Sequence, residues 1–182
     1  MRRIAVVGPC GAGKSTLARR LSAATGLPVT HLDAVFWRPG WVESPREAFD
    51  ARLREIAAGE SWIIEGLYSR TLPLRLERAE LVVVVWAPRA TCVWRAVKRA
   101  ASGLGRVRPD LGPGCPEKLD PAFWRWVWTH HPDSMARIHA ALRASEGQVP
   151  GREVAWVRSK RDAERLLERL AARPGGAQAA AA

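Results

Sequence analysis

The chain has 182 residues, 47% of them hydrophobic, and 29 Lys and Arg against 18 Asp and Glu give it a net charge of +11. That length fits one domain with a core of its own. Three cysteines, Cys10, Cys92 and Cys115, are too few and too scattered for a disulfide framework or a zinc pattern, and no apolar run reaches the roughly 18 residues a membrane helix needs.

These limits describe a soluble, cytoplasmic protein with reduced thiols. The first residues lead straight into a strand-like run, so no signal peptide is expected. Arg3 to Val7 (RIAVV) reads as a buried first strand and Lys14 to Thr25 as a helix. Pro28 to Leu32 reads as a second strand ending at Asp33, and Pro45 to Ala58 as an amphipathic helix. Trp62 to Ile64 reads as a third strand ending at Glu65 and Gly66. Leu81 to Trp86 (LVVVVW) is the most continuous apolar run and reads as a central strand. Ala90 to Ala101 is a helix. Gly103 to Pro116, with four Gly and three Pro, then reads as a loop or mobile flap. Asp120 and Pro121 supply the cap and first-turn proline of the next helix, which Pro132 is expected to kink or split. Val154 to Val157 is a last strand and Lys160 to Ala172 a last helix. The alternation is that of an α/β domain over residues 1–172, with a lid at about 103–120 and a frayed tail over 173–182.

The segment GPCGAGKST supplies Gly8, Pro9, Cys10, Gly11, Ala12, Gly13, Lys14, Ser15 and Thr16. It matches G-x-x-x-x-G-K-[ST] between a strand and a helix, the context in which that motif binds a phosphate. Glycines let several N–H groups turn inward around an anion, and the following helix points its positive end at it. Lys14 would neutralise the β- and γ-phosphates and Ser15 would bind Mg²⁺. ATP with Mg²⁺ is therefore the expected ligand.

In open α/β sheets, ligands bind beyond the carboxyl ends of the strands. Asp33 and Glu65 stand there. Phosphoryl transfer calls for an acid near the attacking hydroxyl and an acid in the metal shell. Asp33 suits the first role and Glu65 the second, although either also fits an ordinary cap or turn. From Ala87 to Pro109 there are six basic residues and no acid. Arg95 and Arg99 share one helix face beside the flap, where arginines close over a triphosphate and stabilise charge; a solvated basic helix is the alternative. Arg70 suits an acceptor anion. Trp37 and Trp41, flanking Pro39-Gly40, suit either a planar substrate or a hydrophobic clamp. Trp124 and Trp128 have the helical spacing of core or hinge packing. The basic excess also admits a nucleotide-dependent regulator that acts on nucleic acid, a reading weakened by the lack of a helix-turn-helix or zinc module. A small-molecule kinase fits better, and an ATPase without an acceptor remains the third reading.

The segments GPCGAGKSTLAR, HLDAVFWRPGW, WIIEGLYSRTLPLRLERAE, RPDLGPGCPEKLD and FWRWVWTHHP, in this order, resemble the adenylate-kinase-related proteins of the topology-modulation type. The resemblance spans roughly residues 2–170. It implies a P-loop NTPase three-layer α/β/α sandwich, like the nucleoside monophosphate kinases, with a five-stranded parallel sheet of order 2-3-1-4-5 and a flap before the long helix. It also implies that Glu65 and Gly66 form an acid-glycine pair, that Arg70 falls near the arginine after it, that Arg95 and Arg99 lead into the lid, and that Ser159 to Asp162 contact adenine. The family usually has Asp in place of Glu65, and often an acid in place of Trp86. The segment that recognises an AMP base is not visible between Asp33 and Glu65. The acceptor stays open among a nucleoside monophosphate, a nucleoside, a sugar and an antibiotic hydroxyl.

Overall fold

The computed structural model describes residues 1–172, so the expected tail at 173–182 lies outside the described residues. The described residues form seven strands: β1 (Arg3–Val7), β2 (Val29–His31), β3 (Trp37–Arg38), β4 (Val42–Glu43), β5 (Trp62–Glu65), β6 (Leu81–Val85) and β7 (Glu153–Val157). Five of them make a sheet of order β2-β5-β1-β6-β7, and every pairing in it is parallel. Counted among those five alone, the order is 2-3-1-4-5. The strands β3 and β4 form a separate antiparallel hairpin that the sequence reading did not contain.

Why this sheet forms is visible in β1. Ile4, Ala5, Val6 and Val7 are fully buried, as a strand covered on both faces must be. The period-2 alternation of a strand sends Ile4 and Val6 to one layer, with Leu17, Leu21, Leu166 and Leu170. Ala5 and Val7 go to the other, with Phe49, Leu53, Leu76 and Ile138. The first layer holds helices α1 (Lys14–Thr25) and α7 (Lys160–Ala171). The second holds α3 (Arg46–Ala58), α4 (Leu72–Leu76) and the later turns of α6 (Pro121–Ala144). The result is a three-layer α/β/α sandwich.

Three details differ from the sequence reading. Asp33 does not end a strand; β2 stops at His31, and Asp33 sits in the first turn of α2 (Leu32–Phe36). Pro132 does not split α6, which runs unbroken for 24 residues. Of the nine tryptophans only Trp62 is buried. Of the pair Trp124 and Trp128, the first is half-buried and the second is 42% exposed, so their spacing marks no core stripe; Trp128 instead underlies the guanidinium of Arg89 at 4.3 Å.

The segment after α5 (Arg89–Ser102) has no regular strand or helix, as its Gly and Pro content dictates, but it is tied to the hairpin. Gly40 N–H donates to the Gly114 carbonyl at 2.7 Å, Trp41 Nε1 donates to the Pro116 carbonyl at 3.0 Å, and the Cys115 thiol meets the Arg38 carbonyl at 3.2 Å. Cys115 is fully buried there. Asp120 caps α6 as expected, accepting from Phe123 N–H at 3.0 Å.

Candidate active site

The glycine-rich loop joins the central strand β1 to α1, at the carboxyl end of the sheet. Gly8 has φ 150°, and a Cβ on it would lie 2.1 Å from the Val85 carbonyl oxygen. Gly11 has φ 78°, and its Cβ would lie 2.3 Å from the Cys92 carbonyl oxygen. The loop is therefore wedged between the end of β6 and the first turns of α5, and only glycine fits at these two contacts. α1 starts at Lys14, so its unpaired N–H groups face the loop. Lys14 Nζ donates to the Pro9 carbonyl at 3.0 Å. Cys10 lines the same cleft, and burial raises its thiol pKa, which keeps it protonated and poorly nucleophilic.

Glu65 ends β5, between Val6 of β1 and His31 of β2. It is 4% exposed. Ser15 Oγ donates to its Oε2 at 3.1 Å, and His31 Nδ1 lies 2.8 Å from the same oxygen. The other oxygen, Oε1, is 3.9 Å from Lys14 Nζ. Burial by itself would raise the Glu65 pKa; the His31 hydrogen bond, the Lys14 charge and the Ser15 hydroxyl together outweigh it and hold the group below its ordinary value. His31 is thus part of this cluster. Its place one strand over from Glu65 depends on β2–β5 register, which the sequence does not display.

Asp33 lines the cleft from α2. Its Oδ1 accepts the Tyr68 hydroxyl at 2.8 Å. Burial first, and then the Asp33 charge, push the Tyr68 pKa up, so Tyr68 stays a donor. Tyr68 (φ 33°) and Trp41 (φ 62°) are the two non-glycine residues with positive φ among the described residues. Both line the cleft, and unfavourable backbone held in place in this way is concentrated at binding sites.

Arg95 donates to the Ala12 carbonyl at 2.9 Å and so braces the loop directly. Arg99 is held otherwise. Its Nε lies 3.0 Å from Glu117 Oε1, and Arg108 Nε lies 2.5 Å from the same atom. Arg108 also reaches Asp110 at 3.1 Å, and Arg19 reaches Asp110 at 3.3 Å. Glu117 and Asp110 are each 6% exposed. Burial would raise the Asp110 pKa, but the Arg108 charge, hydrogen bonds from the backbone and Ser15, and the His31 charge together outweigh it and the pKa is lowered. Sequence reasoning found the arginines and missed these two acids. The available signal was their position, RPD and CPEKLD, directly after the acid-free basic stretch. Arg106 lies outside the cleft lining.

Arg70 is not brought into the site. Both its terminal nitrogens grip Asp50 of α3, at 2.6 and 2.7 Å, and it is absent from the cleft lining. A planar guanidinium matches a carboxylate in this two-point fashion, and Asp50 reaches it before any cleft ligand can. The arginine that touches the acid-glycine pair is Arg75 instead. It is fully buried and donates to the Gly66 carbonyl at 2.6 Å and to the Leu67 carbonyl. Burial lowers its pKa to about 9. Ser159 and Asp162, expected near adenine, form a capping box on α7 and do not line the cleft.

The cleft measures about 1110 Å³, and Trp37 and Trp41 line it together with the loop. Among the described residues no group of three or more His, Cys, Asp and Glu side chains could hold a metal by itself, and no helix is long and apolar enough to cross a membrane.

Residues 4–104, more than half of the chain, match the model of a P-loop family described as an AAA domain. The chain belongs to that family. No curated protein matches it. Among solved structures it is similar to a shikimate kinase from Acinetobacter baumannii in complex with shikimate, with 17% identity, a TM-score of 0.57, and coverage of 93% of this chain and 90% of that one. It is also similar to a kinase described as putative from Chloroflexus aurantiacus, with 17% identity, a TM-score of 0.55, and coverage of 93% and 96%. A shikimate kinase from Aquifex aeolicus has 12% identity, a TM-score of 0.51 and coverage of 92% of each chain. At these identities the likeness establishes the fold of this AAA domain, a P-loop kinase fold.

Proposed function

We propose that this protein is an ATP-dependent, cytoplasmic phosphotransferase that moves the γ-phosphoryl group to a small-molecule acceptor. The observation that carries the reading is the meeting of Ser15, Glu65 and Lys14 at the mouth of the loop, with Asp33 lining the same cleft. The loop's N–H groups and Lys14 hold the phosphates, with Gly8 to Thr16 as the nucleotide site. The Ser15 hydroxyl and the Glu65 carboxylate suit Mg²⁺, a hard cation that takes one or two protein oxygens beside phosphate and water. The ion, when bound, neutralises charge that develops on the transferring group. Arg95 and Arg99 stabilise the same charge from α5, and the 103–120 segment acts as a lid that excludes water.

Asp33 then serves as the acceptor-side base. It takes the proton of the attacking acceptor oxygen as that oxygen bonds to the γ-phosphorus. The bond from phosphorus to the β,γ-bridging oxygen breaks, its electron pair stays on that oxygen, and ADP leaves. The segments shared with the adenylate-kinase-related topology-modulation proteins support a place in that branch of P-loop kinases. Calorimetric titration with ATP, with and without Mg²⁺, tests the donor half. Binding that needs Lys14 and strengthens with Mg²⁺ is expected, and unchanged binding in Lys14→Ala overturns the assignment.

A further inference from the structure

The long helix α6 supplies a wall of the cleft that none of the residues considered so far uses. Phe123, Trp126, His130 and Arg137 line the cleft, and their spacings of three, four and seven residues set them on one helix face. Phe123 and Trp126 are stacked with centroids 5.8 Å apart at 17°. Trp126 and His130 are stacked at 4.7 Å and 28°. Three planar groups therefore run in a row along one wall, and the central one, Trp126, is 44% exposed. The hairpin supplies a second aromatic pair to the same cleft, Trp37 and Trp41, edge to face at 5.5 Å.

The charge on this side is the second observation. Asp33, Glu43 and Asp133 line the cleft beside the aromatic groups. The cations available against them are few. Arg137 donates to Ser69 Oγ at 3.2 Å, and Lys118 lies 3.8 Å from Asp120. Arg70 is committed to Asp50 and Arg75 to two backbone carbonyls. A bound phosphate monoester calls for several charge-assisted donors, and like charges across a site are costly. The other arginines of the cleft are already engaged: Arg95 on the Ala12 carbonyl, and Arg19, Arg99 and Arg108 on the buried acids Asp110 and Glu117.

We infer that the acceptor is an uncharged alcohol carrying a planar ring, stacked on the Trp126 row, and not a phosphorylated or carboxylated compound. This rests on the kinase reading above. The ring's hydroxyl would present its proton to Asp33, whose Oδ1 is fixed by Tyr68.

The test is ADP formation with adenosine, cytidine and pyridoxine as ring alcohols, AMP and CMP as their phosphorylated counterparts, and shikimate as a non-aromatic carboxylate. At least one ring alcohol is expected to exceed the monophosphates and shikimate in kcat/KM by about tenfold or more, as a pocket that leaves charge unpaired discriminates strongly. Preference for AMP, CMP or shikimate, or turnover of none of the ring alcohols, overturns the inference. In Trp126→Ala, an exposed position that folding tolerates, the acceptor KM should rise about tenfold, within the range for one lost stacking ring, while the KM for ATP holds. An unchanged acceptor KM also overturns it. A wild-type protein that fails to bind ATP would sink the kinase reading itself, whereas ATP binding with a preference for monophosphates sinks only the acceptor class.

Discussion

The two sides of the cleft are built by different rules. The side we propose for the nucleotide is backbone: a loop with two glycines on which a Cβ would lie 2.1 and 2.3 Å from carbonyl oxygens, a helix N-terminus, and one buried acid held by Ser15, His31 and Lys14. The side we propose for the acceptor is side chains: aromatic groups on α6 and the β3–β4 hairpin, with Asp33 pinned by Tyr68. A phosphate is the same in every nucleotide, so fixed backbone geometry can recognise it. An acceptor varies, and variable side chains on a helix face and a hairpin can be exchanged without disturbing the sheet.

Variants on the two sides should separate this contrast, beginning with the greatest loss. Arg95→Ala and Arg99→Ala are each expected to lower kcat by up to about 10³-fold, the lower range for an arginine that stabilises the transferring group, with a smaller change in acceptor KM. Steady-state kinetics in both substrates checks this, and wild-type rates return the pair to a solvated basic face. Glu65→Gln should lower kcat by about 10²-fold, at the low end for one electrostatic group, and raise the Mg²⁺ concentration needed for half-maximal rate.

The same Glu65 variant reads out acid stability. The native Glu65 pKa lies below its unfolded value. Its contribution is therefore fully present above the unfolded pKa of about 4.3 and is lost as pH falls through the lowered native value. Denaturant midpoints followed on acidification should fall less steeply in Glu65→Gln than in the wild type; parallel slopes would refute the cluster's ionised state. Arg75→Met removes the donor to the Gly66 and Leu67 carbonyls and should cost about 2–4 kcal/mol in chemical denaturation, as buried unpaired acceptors do. The smallest effect belongs to Arg70→Ala. Its pair with Asp50 lies at the surface, where such pairs contribute little, and acceptor KM should stay within about twofold. A large rise in KM would return Arg70 to the acceptor site.

Much of the donor side was legible in the sequence because its determinants are local. GPCGAGKST lies between an apolar run and an amphipathic one, and Asp120-Pro121 announces the start of α6. The α/β class followed from the alternation of strands and helices, and the parallel sheet with its strand order from the family resemblance. The rest of the site was legible only in part, because its determinants are distant in sequence. Asp50 captures Arg70 across 20 residues, and Glu117 captures Arg99 across 18. His31 meets Glu65 only through the pairing of β2 with β5. The tryptophans of α6 show a related limit: Trp126 lines the cleft while Trp124 and Trp128 do not, and helical spacing gives the face but not what that face meets.

The central claim is transfer, and the most direct measurement follows the phosphoryl group itself. With γ-labelled ATP, Mg²⁺ and a ring alcohol such as adenosine or pyridoxine, the wild-type protein should place label in an organic phosphate ester, and Lys14→Ala should place none. Label that appears only as inorganic phosphate, or equal ester formation by the variant, would contradict the account.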